Sequence, residues 1–286
     1  MTPSTIQPLS NLGHAWDQAA EGWSRNSALI NAWLADVTPA MLDAAGIAPG
    51  SRVLDVAAGA GGQTLDIAQR VGPHGQVLAT DISNRILALA ASNLRAAGVD
   101  NVQTRVADAQ VLGLEGANFD AAVCRLGLMF CSAPLTALTG IADALKPGGR
   151  FAGVVFSTPQ TNPCVAILMA TACRHACLAP PSPFEPGNLF SLGQPGLLAE
   201  LFAAAGFIGI EVRPMAAPFR LPTSAHYLDF IRSAGSPVMQ ILAPLSPGAQ
   251  ASAWADMADQ LEKFAGAQGW QGPNELLLCS GSRPAD

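Results

Sequence analysis

The sequence predicts an α/β fold in which a mostly parallel, seven-stranded sheet is covered by helices on both faces. Three observations carry that prediction. Between residues 50 and 156, apolar runs suited to buried strands alternate with helix-like segments, the pattern that produces a two-sided parallel sheet. The first run, Val53-Leu54-Asp55-Val56, passes an acid and enters Ala57-Ala58-Gly59-Ala60-Gly61-Gly62, where side chains give way to three glycines in four residues. Further on, Pro147-Gly148-Gly149 reads as a helix stop that turns the chain into another strand.

Taken in order, strands are expected at 52–56, 76–80, 102–106, 119–124 and 150–156, and helices at 63–70, 84–97 and 134–145. A helix at 195–205 ends at Gly206, a strand at 207–212 follows, and 276–279 reads as the last strand. Two regions break this rhythm. The segment 11–45 reads as helical, with Trp16, Trp23 and Trp33 as an aromatic payload, whereas 157–194 and 214–270 are rich in Pro and Gly with apolar helical pieces between. Long excursions of this kind in a compact domain usually serve as lids or binding segments. The expected organisation is therefore an N-terminal helical cover (1–45), a nucleotide-type core (46–156), and a portion that completes the sheet and carries inserted covering segments (157–286).

Composition narrows the function. Half of the 286 residues are apolar and 13% are charged, so chain entropy is readily offset by burial and disorder is not expected. A net charge of −6, with two lysines and scattered arginines, leaves no basic run for a nucleic acid. Residues 1–11 lack the charged and apolar regions of a secretory signal, and no uncharged apolar window reaches the ~18 residues of a membrane span. The six cysteines fall within apolar stretches rather than at the spacing of a disulfide framework. These features lead to the expectation of a cytoplasmic protein, monomeric or homodimeric, acting on a small molecule.

Ligands of open α/β sheets bind beyond the carboxyl ends of the strands. Three of the expected strand ends carry an acid: Asp55, Asp81 and Asp108. A glycine turn between strand and helix also presents free N–H groups to a polar ligand. A dinucleotide enzyme requires a third glycine where this chain has Thr64, and an acid four residues before the turn repels a pyrophosphate while attracting an ammonium.

At these residues the chain resembles the class I S-adenosylmethionine-dependent methyltransferases, especially the quinone-biosynthesis C-methyltransferases, over roughly residues 50–156. The family's Rossmann-like core places an acid before GxGxG, and here Asp55-Val56-Ala57-Ala58-Gly59-Ala60-Gly61 has Ala57 at the first glycine. The resemblance implies S-adenosylmethionine as cofactor. It assigns Asp55, Ala57, Gly59 and Gly61 to the methionine end, Asp81 and Ile82 to the ribose, and Asp108 and Ala109 to the adenine. Trp23 corresponds to an aromatic that closes over the cofactor, with a place in a core stripe as its alternative, and Arg125, directly after the fourth strand, is expected either at the pocket mouth in contact with cofactor or substrate or paired with an acid. Asp120 and the glycines after Pro147 read as structural.

Methyl transfer from a sulfonium relies mainly on alignment and needs a base only when the acceptor must lose a proton. Candidates for such a base are His14, Asp17, His175 and His226, all in the covering segments. A metal is not expected: Cys173 and Cys177 flank His175 with Cys164 upstream, but their spacing fits no zinc motif. Phe184, Leu189, Phe190, Met215, Phe219, Tyr227 and Phe230 are available to line an apolar acceptor pocket or to form the cover's own core. The expected function is methylation of a small, fairly apolar acceptor, an aromatic, quinone-like or polyketide-like compound. Two alternatives stand beside it: a cofactor-binding protein with a non-methylating or regulatory role, and a nicotinamide oxidoreductase, for which Asp55 has no explanation.

Overall fold

The computed structural model describes residues 9–114, 116, 118–234 and 237–285. The chain opens with three helices, α1 (Leu9–Arg25), α2 (Ser27–Trp33) and α3 (Val37–Ala44). The core then alternates β1 (Arg52–Val56), α4 (Gly62–Val71), β2 (Gln76–Asp81), α5 (Asn84–Ala96), β3 (Val102–Val106), β4 (Phe119–Arg125), α6 (Pro134–Ala144) and β5 (Leu145–Phe156). After α7 (Pro163–His175) and α8 (Leu197–Ala204), β6 (Ile208–Ala216) rejoins the sheet, while β7 (Phe219–Leu221) leaves it. The covering helices α9 (Ser224–Ser233), α10 (Pro237–Leu242) and α11 (Pro247–Leu261) precede β8 (Ala265–Gly266), β9 (Gly269–Gly272) and β10 (Glu275–Ser282).

Seven strands form one sheet in the order β3-β2-β1-β4-β5-β10-β6. The first five run parallel, and β10 is antiparallel to both β5 and β6. The chain therefore starts at the centre, builds outward to β3, and crosses back over β1 to β4. That reversal brings the carboxyl ends of β1, β2 and β4 side by side, the crevice in which such sheets take ligands. Val53, Leu54 and Val56 of β1 are all buried, as a central strand covered on both faces demands. Helix α4 returns Ile67, Ala68 and Val71 to the core, and α5 starts at Ser83, whose hydroxyl accepts from the Ile86 N–H at 3.0 Å as an N-cap.

The structure departs from the sequence expectations at two places. Pro147-Gly148-Gly149 does not separate α6 from the fifth strand by a turn: β5 begins at Leu145, and the irregular pairing with β4 falls between Phe119 and Ala121. Gly148, at φ +76°, donates to the Arg283 carbonyl at 3.1 Å, and the Arg283 N–H returns to Gly149 at 2.8 Å, so this segment is held by the C-terminal strand's continuation. The covering region also contains a three-stranded sheet, β7-β9-β8, which Pro- and Gly-rich sequence did not announce.

The cover has its own aromatic core joined to the main one. Trp33 stacks on Phe219 with centroids 4.3 Å apart, and Tyr227 stacks on Trp270 at 5.1 Å. Each such pair contributes roughly 0.5–1.5 kcal/mol beyond area burial. The Trp33 indole N–H donates to the Ala217 carbonyl at 2.7 Å and to Asn274 Oδ1 at 3.1 Å, which fixes α2 over the β6–β7 junction. Among the described residues, no helix is long and apolar enough to cross a membrane.

Helix α1 docks on α9 at Gly22, where a Cβ would lie 1.6 Å from the Ser233 carbonyl oxygen. Asn26 reinforces the contact by donating to Ser233 Oγ at 2.8 Å. Overpacking of this kind costs about 1–3 kcal/mol or more when the opposing atom is backbone. Gly22→Ala is therefore expected to lower the melting temperature and to speed proteolysis within residues 9–33. An unchanged proteolytic pattern would refute this account of how the N-terminal cover is held.

Candidate active site

The site grows from the end of β1. Asp55 is fully buried, and its two oxygens accept from Gln63 Nε2 at 2.5 Å and from Thr64 Oγ1 at 2.7 Å, both on the first turn of α4. The Asp55 backbone carbonyl additionally accepts from Thr80 Oγ1 at 3.3 Å. Thr64, the residue at the missing third glycine, thus serves as a donor to the acid. Burial raises the Asp55 carboxyl to about 6, against the lowering effect of Thr64, Gln63 and the nearby Arg125.

The turn itself is built from left-handed backbone: Ala57 at φ +56°, Gly59 at +57° and Gly61 at +87°. A Cβ on Gly59 would meet Trp23 Nε1 at 3.2 Å, and one on Gly61 would meet Ala90 of α5 at 3.2 Å. Gly59 is therefore needed on the ligand side and Gly61 for helix packing. Ala57 carries a methyl where glycine is easier. Gly127, after β4, makes room for that methyl, because a Cβ there would lie 2.4 Å from Ala57 Cβ.

Asp81, at the end of β2, accepts from the Gly59 N–H and from the Ser83 N–H, each at 3.0 Å. Burial raises its carboxyl despite these bonds. Asp108 follows β3 and accepts from the Gln110 N–H at 2.8 Å, while Gln110 Oε1 accepts from the Ala133 N–H at 2.8 Å. Arg125 ends β4 and donates through Nη1 to Thr38 Oγ1 of α3 at 2.7 Å. Burial lowers its guanidinium to about 10, against the pull of Asp55 and Asp66, so it stays protonated at neutral pH.

These groups surround a cavity of about 560 Å³. Ala57, Gly59, Asp81, Ile82, Asp108, Ala109, Arg125 and Trp23 all lie in its wall, so eight of the sequence-expected cofactor residues converge. Asp55 and Gly61 do not reach it. The sequence reading has Asp55 meeting an ammonium directly or through water; in the structure both of its oxygens accept from α4, and Gln63 stands in the wall. The rest of the wall comes from the cover, with Trp16 of α1, Val165 and Met169 of α7, and Tyr227 and Phe230 of α9. Of the aromatic and aliphatic candidates, Leu189, Phe190, Phe219, Tyr227 and Phe230 line the cavity; Phe184 and Met215 do not.

The four expected bases stand elsewhere. His14 is exposed and bonds Gln18 at 3.0 Å; Asp17 accepts from Ser83 Oγ at 2.5 Å and from the Arg85 N–H at 3.1 Å. His175 pairs with Asp256 at 2.9 Å, and exposed His226 bonds Thr223 at 2.9 Å. The three histidines bond neighbours within the cover, Asp17 bonds the start of α5, and none of the four lines the cavity. Cys164 and Cys173 are buried whereas Cys177 is exposed, so these thiols and His175 share no common centre. Gln63 and Gly127 were invisible as site residues in the sequence, since one acts by holding an acid and the other by being small against a residue 70 positions away.

The strand-end acids, the glycine turn and the strand order agree with the resemblance to the class I S-adenosylmethionine-dependent methyltransferases drawn from the sequence. A family of methyltransferase domains matches residues 53–149. Along this part the chain is similar to the ubiquinone/menaquinone biosynthesis C-methyltransferase UbiE of Teredinibacter turnerae: the two are 38% identical over 122 residues, which cover 42% of this chain and 49% of that one. The chain thus spans about half the length of the curated relatives it matches. The fold extends further than the sequence likeness. YcgJ of Bacillus subtilis superposes over 87% of this chain and 98% of its own at a TM-score of 0.58 and 18% identity. The [4+2]-cyclase SpnF superposes over 95% and 97% at a TM-score of 0.56 and 19% identity.

Asp55 makes stability depend on pH. Because its folded carboxyl titrates near 6 rather than at the usual 3.8, the folded state holds this proton more tightly and loses stability as pH rises from about 4 to about 6. The loss is on the order of 3 kcal/mol at full ionisation. Asp55→Asn removes it, so the variant is expected to gain stability relative to the parent between pH 4 and pH 6.5 in urea denaturation. A constant difference across that range would contradict the buried, uncompensated acid.

Proposed function

We propose that the chain binds S-adenosylmethionine across the ends of β3, β2, β1 and β4 and transfers its methyl group to a small, neutral, largely apolar acceptor held under the cover. One observation supports this reading above the rest. Among the described wall residues the charged side chains are Asp81, Asp108 and Arg125, all at strand ends; the walls from α1, α7, α9 and α10 carry none. A charged acceptor would leave its own charge buried without a partner, which costs several kcal/mol.

The wall fits the cofactor's parts. The Gly59 backbone allows close approach, Asp81 has acceptor capacity left for ribose hydroxyls, and Asp108 with Ala109 edges the adenine position. Bound there, the cofactor supplies an electrophilic methyl group on a sulfonium. Trp23 and Trp16 meet edge to face at 6.0 Å in the wall and offer aromatic surface to a cation. The cover residues exclude water and orient the acceptor, whose alignment supplies much of the acceleration.

Among the described residues, no carboxylate, histidine or lysine stands in the cover part of the wall. Cys131 is pushed up to about 12 by burial, and the Tyr227 hydroxyl well above its ordinary value, so neither is a ready base. The acceptor atom must therefore be nucleophilic on its own or lose its proton to solvent before closure: a quinol, an acidic phenol or an enolisable carbon fits. The same lack of a base favours a second reading, a cofactor-binding protein of this fold that carries out a reaction without proton transfer.

Saturable binding of S-adenosylmethionine is expected by calorimetry, and its absence at millimolar ligand would end the proposal. Asp81→Ala should weaken that binding by ~1–3 kcal/mol, the scale of a lost charged hydrogen-bond partner; unchanged affinity would displace the ribose from Asp81. Release of S-adenosylhomocysteine is expected with neutral phenols, quinols or β-dicarbonyl compounds and not with charged amines or phosphorylated amines. Binding without release across the neutral panel would favour the second reading.

A further inference from the structure

Tyr227 is fully buried in the first turn of α9, and its hydroxyl has no hydrogen-bond partner among the described residues. Of the deeply buried side-chain nitrogens and oxygens described, it alone is left so. A buried phenol normally has its O–H paired, because an unmade bond leaves the full cost of taking the group out of water. Phenylalanine would fill the same space without that cost.

The surroundings show where a partner can come from. Trp270 stacks on the Tyr227 ring at 5.1 Å and Phe219 packs on it at 5.0 Å, and neither supplies an acceptor. The indole N–H groups of this aromatic core are already spent, that of Trp270 on the Leu261 carbonyl at 2.8 Å and that of Trp33 on Ala217 and Asn274. What remains beside the residue is the cavity. Tyr227, Phe230, Ile231 and Ala234 all stand in its wall, the spacing of one stripe along a helix, so α9 turns this face to the ligand space.

Position narrows the partner's chemistry. Trp23 lies against the glycine turn, its Nε1 3.2 Å from the Cβ position on Gly59, and its ring is 6.2 Å from Phe230. Phe230 in turn is 5.9 Å from Phe219, the neighbour of Tyr227. Tyr227 therefore stands several rings away from the turn, on the acceptor side. The side-chain amides in the cover part of the wall are engaged or wet: Asn188 Nδ2 donates to the Ser182 carbonyl at 3.2 Å, and Gln240 is exposed. Among the described residues an uncharged acceptor thus meets one buried hydroxyl in an otherwise apolar enclosure. Burial keeps that phenol protonated well beyond neutral pH, which makes it a donor.

We propose that the Tyr227 hydroxyl donates a hydrogen bond to an uncharged oxygen of the acceptor, a carbonyl or phenol oxygen at the end remote from the methyl donor, and thereby selects oxygenated acceptors and fixes how they lie. This deepens the acceptor reading above and rests on it. The residue touches the acceptor without taking its proton, so its contribution lies in orientation and choice.

The test uses two neutral bicyclic probes of nearly the same shape, 1-tetralone, which carries a carbonyl oxygen, and tetralin, which lacks it. Each is titrated by equilibrium dialysis into protein saturated with S-adenosylhomocysteine, for the parent and for Tyr227→Phe. The ratio of the two affinities should fall by roughly 3–10-fold in the variant, the scale of one neutral hydrogen bond, while tetralin binds at least as well as it does to the parent. In the ligand-free protein the variant should melt no lower than the parent, because the hydroxyl it removes is unpaired. A ratio that does not move overturns the proposal and leaves the cofactor reading intact. A lowered melting temperature overturns it as well, since the hydroxyl then has its partner within the protein. If S-adenosylhomocysteine binds but neither probe does, the neutral acceptor reading fails and this proposal with it; if S-adenosylhomocysteine itself does not bind, the cofactor reading has failed first.

Discussion

The bond set around the Asp55 carboxylate is the constraint on which the site depends. A strand and the helix after it can be joined by a glycine turn in many ways, because glycine tolerates conformations that other residues avoid. Here the turn has little freedom. Gln63 and Thr64 on the first turn of α4 both reach back to Asp55 on β1, and Thr80 of β2 bonds the same residue's carbonyl. The three links close the loop at both ends, so Ala57 and Gly59 are held with left-handed backbone facing the cavity. An unfilled anion at this depth would be expensive. The protein accepts a raised proton affinity there because the acid organises backbone that no apolar residue could organise.

Two further acids repeat the arrangement with less burial. Asp81 bonds both the turn, through Gly59, and the start of α5, through Ser83. Asp17 of α1 bonds the Ser83 hydroxyl and the Arg85 N–H, which places an anion at the N-terminus of α5, where the helix dipole favours it. The N-terminal cover is thereby registered on the same helix start that orients Asp81. Asp17 spends its carboxylate on this contact and does not line the cavity.

What was legible in the sequence follows from how local each signal is. Parallel strands announce themselves through continuous apolar runs and glycine turns, and the five strands of the core lie within a few residues of their expected places. The acids at strand ends were equally legible, since topology alone sends those positions to the crevice. The cover was not. Its small sheet pairs Phe219 with Gly272 and Leu221 with Trp270, partners some fifty residues apart with a Gly between aromatic positions and no run of alternation. The surroundings of the histidines were illegible for a related reason: His175 and His226 stood as candidate bases in one dimension, and each is bonded to a neighbour that only folding or a local turn supplies. Gln63 shows the converse, a residue with no motif whose amide becomes important because the buried acid lies opposite it.

The division of charge within the cavity links these points to function. A wall with its acids and its arginine confined to strand ends separates a polar ligand half from an apolar half, and the boundary falls where α1, α7 and α9 meet the sheet. The cover's inward face is packed through Trp33, Phe219 and Tyr227, which themselves stand in the wall, whereas Asp55 and Asp81 are held by bonds from the glycine turn and the starts of α4 and α5. The strand-end half of the cavity is thus set by hydrogen bonds among a few buried groups, and the cover half by packing. That separation explains why a scaffold at 18% identity keeps the same sheet over nearly its whole length. On the proposed reading, the determinants of acceptor choice lie in α7, α9 and α10, the elements whose sequence carries the least motif.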